Sequence, residues 1–265
     1  MLIIGERINT SRKAMAPAVA ARDADFIRAE AKAQVEAGAT LIDVNCGTFM
    51  AEEPELLAWL VETVQGAVEV PVCLDSPNPA ALENALPRHK GRAMINSITA
   101  EKERWEKVLP LVLTYNTRVI ALTMDDRGMP ETAEERLKVA ARLVENLVRE
   151  GVKEDDIFID PLVRPVSTGN QYAMVVYETI RRVREEFPRV HTVCGLSNVS
   201  FGLPARKLIN QAFLVQTMAA GLDAVILDPL DKRLMSLLYA GELLLGRDEY
   251  AAGYLSAFRE GKLEA

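Results

Sequence analysis

Histidine is almost missing from this chain: its 265 residues include two, His89 and His191. Both stand just before apolar, strand-like runs, away from the polar residues that follow such runs, so a Ser/His/Asp triad is not signalled and both histidines read as surface or structural groups. Cysteine is scarce too, with Cys46, Cys73 and Cys194 and no CxxC pair. Three thiolates can in principle hold zinc with one position open, but the close ligand pairs usual in metal sites are lacking; the three read as small packing residues, no bound metal is expected, and a reducing cytoplasm is the implied setting. No GxGxxG follows a strand and no GxxxxGK[ST] occurs, which sets aside dinucleotide and P-loop phosphate sites. No apolar run approaches the roughly 18 residues of a membrane span, since even "MSLLYAGELLLG" is broken by Gly241 and Glu242. The opening "MLIIGERIN" turns polar at Glu6, so no leader peptide is expected. An excess of basic charge is also lacking: the net charge is −7, with acidic and basic residues mixed along the helical stretches, and nucleic acid is not an expected partner.

What the chain has is alternation. Short, nearly continuous apolar runs rich in β-branched residues predict strands at Leu2–Gly5, Thr40–Val44, Val70–Leu74, Ala93–Ile95, Arg118–Thr123, Asp156–Ile159, Thr192–Gly195 and Ala224–Leu227. Helical patterns lie between them. Asp25–Ala37 repeats Phe26, Ala29, Ala33 and Ala37 and ends at Gly38, a natural left-handed cap. Thr132–Val148 opens with a Thr132/Glu135 capping box and carries Leu137, Ala140, Val144 and Leu147 along one face. Further helices are predicted over Glu53–Thr63, Glu101–Thr114, Tyr172–Glu186, Arg206–Ala220, Asp231–Leu245 and Asp248–Gly261. Gly and Pro fall at turns such as Pro77–Pro79, and no linker or repeat divides the chain. Strict alternation of strand and helix predicts an α/β fold, a single (β/α)8 TIM barrel domain over residues 1–265, with a doubly wound open sheet as the runner-up.

In such a barrel the residue after each strand faces one common mouth. Those positions hold Glu6, Arg7 and Asn9; Asp43 and Asn45; Asp75 and Ser76; Asn96 and Ser97; Met124, Asp125 and Asp126; Asp160; Ser197, Asn198 and Ser200; and Asp228. A ring of carboxylates and amides suits a flat ligand carrying several N–H donors and carbonyl acceptors, such as a pterin or purine, because Asp accepts only and Asn does both. Any one of them can equally be the cap of the next helix.

The strings "GERIN" (5–9), "DVN" (43–45), "CLDS" (73–76), "AMINS" (93–97), "IDP" (159–161), "GLSNVS" (195–200), "RKLINQAFL" (206–214) and "GLDAVILDP" (221–229) resemble the methyltetrahydrofolate:corrinoid protein methyltransferases. These share a pterin-binding barrel with the folate domain of cobalamin-dependent methionine synthase and with dihydropteroate synthase. The resemblance runs from Leu2 to about Leu245. It implies a cytoplasmic enzyme that moves a methyl group between N5 of tetrahydrofolate and the cobalt of a separate corrinoid protein, either out of methyltetrahydrofolate, onto a partner such as a corrinoid iron–sulfur protein, or into tetrahydrofolate as in demethylase pathways. It implies Asp75, Asn96 and Asp160 on the pterin ring, with Gly195 and Ser197 beside it, and Asn198 as the catalytic amide near N5. Glu6, Asn9, Asp43, Asn45, Ser97 and Met124 are expected around these, while Arg206 and Asn210 are left between supporting the "GLSNVS" loop and lying near the corrinoid. No cobalamin-binding DxHxxG string occurs, so the corrinoid is expected on the partner; a homodimer is the family's usual state. Dihydropteroate synthases end in a basic Ser-x-Arg-x-His cluster, where this chain reads "AVILDPLDKR". That departure weighs against their reaction, which stays with a non-catalytic pterin-binding subunit as the alternative. The apolar residues of the C-terminal segment, among them Leu244, Tyr250, Leu255 and Phe258, are expected to cover the barrel rather than a dimer surface.

Overall fold

The computed structural model describes residues 1–264. Its strands β1 (Leu2–Asn9), β2 (Leu41–Asn45), β3 (Val72–Asp75), β4 (Met94–Ala100), β5 (Arg118–Asp125), β6 (Ile157–Asp160), β7 (His191–Thr192) and β8 (Ala224–Leu227) are parallel and hydrogen-bonded in the order β7-β6-β5-β4-β3-β2-β1-β8. The remaining gap is bridged just past β7, where Gly195 pairs with Ile226 and the Ile226 N–H donates to Cys194 O at 2.9 Å. Sequential neighbours and a bridged gap make a barrel and overturn the open-sheet alternative, whose strand order would reverse direction.

Helices α1 (Met15–Ala20), α2 (Ala24–Glu36), α3 (Glu53–Gln65), α4 (Pro79–Ala85), α5 (Lys102–Thr114), α6 (Ala133–Arg149), α7 (Tyr172–Glu186), α8 (Arg206–Ala220), α9 (Lys232–Leu244) and α10 (Ala252–Arg259) surround the strands. The capping box at Thr132 and Glu135 forms as the sequence predicts, and Gly38 follows α2 at φ +113°. Two short helices, α1 and α4, have no counterpart in the sequence reading. Pro79, taken for a turn, is instead the first residue of α4, where a missing N–H costs nothing, and the Asn78 side chain accepts from Ala80 N. Strands β1, β4 and β5 run further into the polar residues than expected, and β7 is cut to two residues.

The period of two in a strand builds the molecule in layers. Ile4, Leu41, Cys73, Met94, Ile120, Phe158, Val193, Ala224 and Ile226 fill the barrel interior. A second apolar layer lies between strands and helices and includes Cys46 in one cluster and Cys194 in another. The three cysteines are buried and sit in three separate clusters. The C-terminal segment packs on α9, but Leu244, Tyr250 and Phe258 stay exposed. The expected cover of the barrel is therefore not made by these side chains: the short α10 buries Ala257 and turns its larger residues outward.

Candidate active site

Counting two residues onward from the interior layer gives the mouth. Ile4 leads to Glu6, Leu41 to Asp43, Cys73 to Asp75, Met94 to Asn96, Phe158 to Asp160, Val193 to Gly195 and Ile226 to Asp228, and all seven line one cavity of about 1030 Å³. Its size suits a small-molecule ligand. Asn9, Ser76, Ser97, Met124, Ser197, Asn198, Arg206 and Asn210 line it as well.

Several predicted residues turn elsewhere. Arg7 points out to Glu30 on α2 and to Asp228, at 2.9 Å. Asp125 is bound by Arg127 and Arg142, Asp126 accepts from Lys102 N, and Ser200 donates to Asn210 Oδ1 at 2.7 Å. Asn45 is not on the cavity wall but donates to Asp75 at 2.9 Å. In each case strand alternation or a nearby partner withdraws the group that position after a strand alone would place at the mouth.

The floor, between β2 and β6, is rich in carboxylates with little exposure. Burial pushes Asp75 up to about 6, against the Asn45 hydrogen bond and the Arg104 charge. Asp43 is driven well above the usual carboxylate range by burial, with the charge of Asp75 adding to it, and its Oδ1 has no hydrogen-bond partner among the described residues. Burial raises Asp160 to about 7, although Leu162 N donates to its Oδ1 at 2.7 Å and Arg136 lies near. Acids in this condition are short of donors: each gains from a ligand N–H that would stabilise its charged form.

Two arginines absent from the sequence reading hold this floor. Arg104 of α5 donates to Ser76 O, Pro77 O and Ser97 O, tying the ends of β3 and β4 together. Arg136 of α6 is fully buried and donates to Pro130 O, Pro161 O and Leu162 O, fixing the loop after β6. Glu53, also buried, accepts from Ser76 Oγ at 2.5 Å. An arginine within an amphipathic helix reads as a solvated charge, so no sequence signal marks the first two.

The opposite wall, after β7, is built differently. Residues 196–200 form a 3-10 turn in which Arg206 donates to Ser197 O at 2.7 Å and to Ser200 Oγ at 3.0 Å. Arg206 and Asn210 thus brace the loop, and both also line the cavity. Asn198 is exposed, and its side chain makes no hydrogen bond among the described residues. A Cβ at position 195 would lie 3.1 Å from Asn198 Nδ2, so Gly195 leaves the amide room to turn. Across the mouth, Ser197 Oγ donates to Glu6 Oε2 at 3.2 Å.

A parallel barrel with buried, donor-seeking carboxylates at its C-terminal mouth defines a class, the barrels that hold a flat nitrogen heterocycle. Residues 5–228 match the family described as pterin binding enzyme, and the chain belongs to that family. It is 39% identical over 99% of its length, and 98% of the relative's, to the methylcorrinoid:tetrahydrofolate methyltransferase of Eubacterium limosum. It is 33% identical over 85% of its length to the methionine synthase of Mycobacterium tuberculosis, of which it spans 20%. Among solved structures, the Yersinia pestis dihydropteroate synthase with a sulfonamide drug complex superposes at TM-score 0.72 over 92% of this chain and 94% of that one, at 14% identity, a likeness of fold.

Proposed function

We propose that this protein transfers a methyl group between the cobalt of a separate corrinoid protein and N5 of tetrahydrofolate, running from methylcorrinoid to folate, the order in the name of its Eubacterium limosum relative. The observation that carries this reading is the division of the mouth: buried acceptors on the floor and an unpaired, rotatable amide on the wall. The chemistry of the floor fits a pterin, whose ring and exocyclic N–H groups meet the carboxylates of Asp75 and Asp160 and the amide of Asn96. Asp43, whose Oδ1 has no hydrogen-bond partner among the described residues, lines the same cavity beside Asp75.

Pterin N–H donors stabilise the charged form of Asp75 and Asp160, so ligand binding and proton loss from the floor are linked. The corrinoid, carried by its own protein, supplies the methyl-bearing cobalt. This chain's task is at N5. Asn198 faces a nitrogen that changes from a secondary to a tertiary amine, and its neutral amide can donate to or accept from N5 as the reaction requires. A preorganised hydrogen bond that strengthens as charge develops at N5 accelerates transfer in both directions. A homodimer and a cytoplasmic setting complete the proposal, the latter in keeping with three free buried cysteines.

The test is anaerobic. Purified protein is mixed with methylcobalamin and tetrahydrofolate, and separately with cob(I)alamin and methyltetrahydrofolate, while the cobalt absorbance is followed. Transfer catalysed in either direction is expected. Tight folate binding with no change at cobalt, both with free cobalamin and with the corrinoid proteins of the same organism, would overturn it in favour of a pterin binder.

A further inference from the structure

Methyl transfer to N5 leaves a proton to be disposed of, and Asn198 cannot take it, because an amide does not titrate in this range. Glu6 is the group placed to do so. It ends the inward-facing series Leu2, Ile4, Glu6 of β1, lines the cavity, and is bonded to Ser197, the residue before Asn198. The cations near it are engaged elsewhere. Arg7, its neighbour in sequence, turns outward to Glu30 and Asp228; Arg12, after β1, also reaches Asp228; and Arg206 of α8 is held by Ser197 O and Ser200 Oγ. Asp228 after β8 adds negative charge around it, and Asp43 on β2 is a second acid near it.

We propose that Glu6 is the proton-transfer residue of this active site, taking the proton from N5 as the methyl group arrives and returning it when the reaction runs backward. The inference rests on the methyl-transfer reading above. In the forward step the N5 lone pair forms the N–CH3 bond, the cobalt–carbon bond breaks with its electron pair left on cobalt, and the N5 proton passes to the Glu6 carboxylate, directly or through one water, and then to solvent. In reverse, Co(I) supplies the pair for the new cobalt–carbon bond, N5 keeps the pair of the old one, and the Glu6 carboxyl protonates it. Burial pushes Glu6 up to about 7, against the Ser197 hydrogen bond, with Asp228 adding to the rise and Arg12 and Arg206 opposing it, so both protonation states are available near neutral pH.

One group with two roles predicts opposite pH profiles. Transfer to tetrahydrofolate needs the carboxylate and rises with pH through about 7; transfer from methyltetrahydrofolate needs the acid and falls through the same range. The experiment measures single-turnover rates in both directions from about pH 5 to pH 9, for the wild type, Glu6→Gln, Glu6→Asp and Ser197→Ala. Glu6→Gln is expected to lose roughly 100-fold in rate and both pH limbs, with Glu6→Asp recovering the limbs. Ser197→Ala removes a donor to the charged form and is expected to move both limbs to higher pH. Independent of turnover, infrared titration of the folate-free protein is expected to lose one neutral-range carboxyl band in Glu6→Gln. Limbs that survive Glu6→Gln, or an unchanged infrared titration, would overturn the role of Glu6 while leaving methyl transfer intact. A wild type that transfers no methyl in either direction would overturn the function and this inference together. Should Glu6→Gln not fold, unmoved limbs in Ser197→Ala would overturn it.

Discussion

The two ends of the barrel handle buried charge in opposite ways. At the N-terminal end, burial pushes Asp223 up, but His191 Nδ1 at 2.8 Å, Thr192 N at 2.8 Å and Arg184 at 3.3 Å surround it, and its pKa is held below the usual carboxylate value. His191 itself stacks on Phe158, with ring centroids 4.7 Å apart. At the C-terminal end, Asp43 and Asp160 are buried and Asp75 and Glu6 half-buried, all with too few donors, and all four are raised. A satisfied carboxylate closes a structure, whereas an unsatisfied one marks where a ligand's N–H groups belong.

The comparison breaks first at Asn198. Asn198→Ala is expected to slow methyl transfer on the order of 100- to 1,000-fold with a smaller loss of folate affinity; single-turnover rates beside calorimetric titration measure both, and equal losses would make Asn198 an ordinary binding residue. Asp160→Ala is expected to weaken folate binding by roughly 10- to 100-fold, the cost of one charge-assisted hydrogen bond. Unchanged affinity would remove it from the pterin site.

Asp160 also sharpens the contrast without ligand. Its folded pKa is raised to about 7, so the stability it contributes is full below its unfolded value near 4 and is lost as pH rises through about 7. Asp160→Asn is therefore expected to melt higher than wild type above about pH 7, by roughly a few degrees, and no higher near pH 5. Asp223 carries the reverse sign. Its folded pKa is depressed, so its contribution is present above about pH 4 and lost as pH falls below it. Asp223→Asn is expected to cost roughly 1–3 kcal/mol at neutral pH, a gap that narrows in acid, with methyl transfer unchanged.

The smallest effect separates position from pairing. Thr132 lies in the loop region following β5 on the mouth side, yet it is paired within its capping box. If pairing decides, Thr132→Ala costs about 1 kcal/mol in denaturant unfolding and leaves transfer rates alone. A large loss of activity would show that proximity to the mouth outweighs satisfaction.

Most of the barrel could be read from the chain because buried parallel strands are apolar on both faces and stop where their polar ends emerge. The floor residues Asp75, Asn96 and Asp160 were legible for that reason. The supports were not. Arg104 and Arg136 lie in helices, where a charge in the sequence looks solvated whether it meets water or three carbonyl oxygens. Nor could the direction of Arg7 or Asp125 be read, since one residue of register decides which side of a strand a side chain leaves. The shortness of β7 was hidden as well: Thr192–Gly195 has a strand's composition, but its polar successor loop turns before a second ladder forms.

In β1 that register is reset. Gly5 pairs with Ile42 and Ile8 with Val44, so three steps on β1 match two on β2. The extra residue lets Glu6 and Asn9, an odd distance apart, line the same cavity, while Ile8 joins the apolar layer under the helices. The bend is thereby a determinant in its own right. Drawn out as a regular ladder with no extra residue against β2, the same sequence would turn Ile8 into the mouth and Asn9 toward the helices, so the bulge, more than any one side chain, sets which residues of β1 reach the ligand.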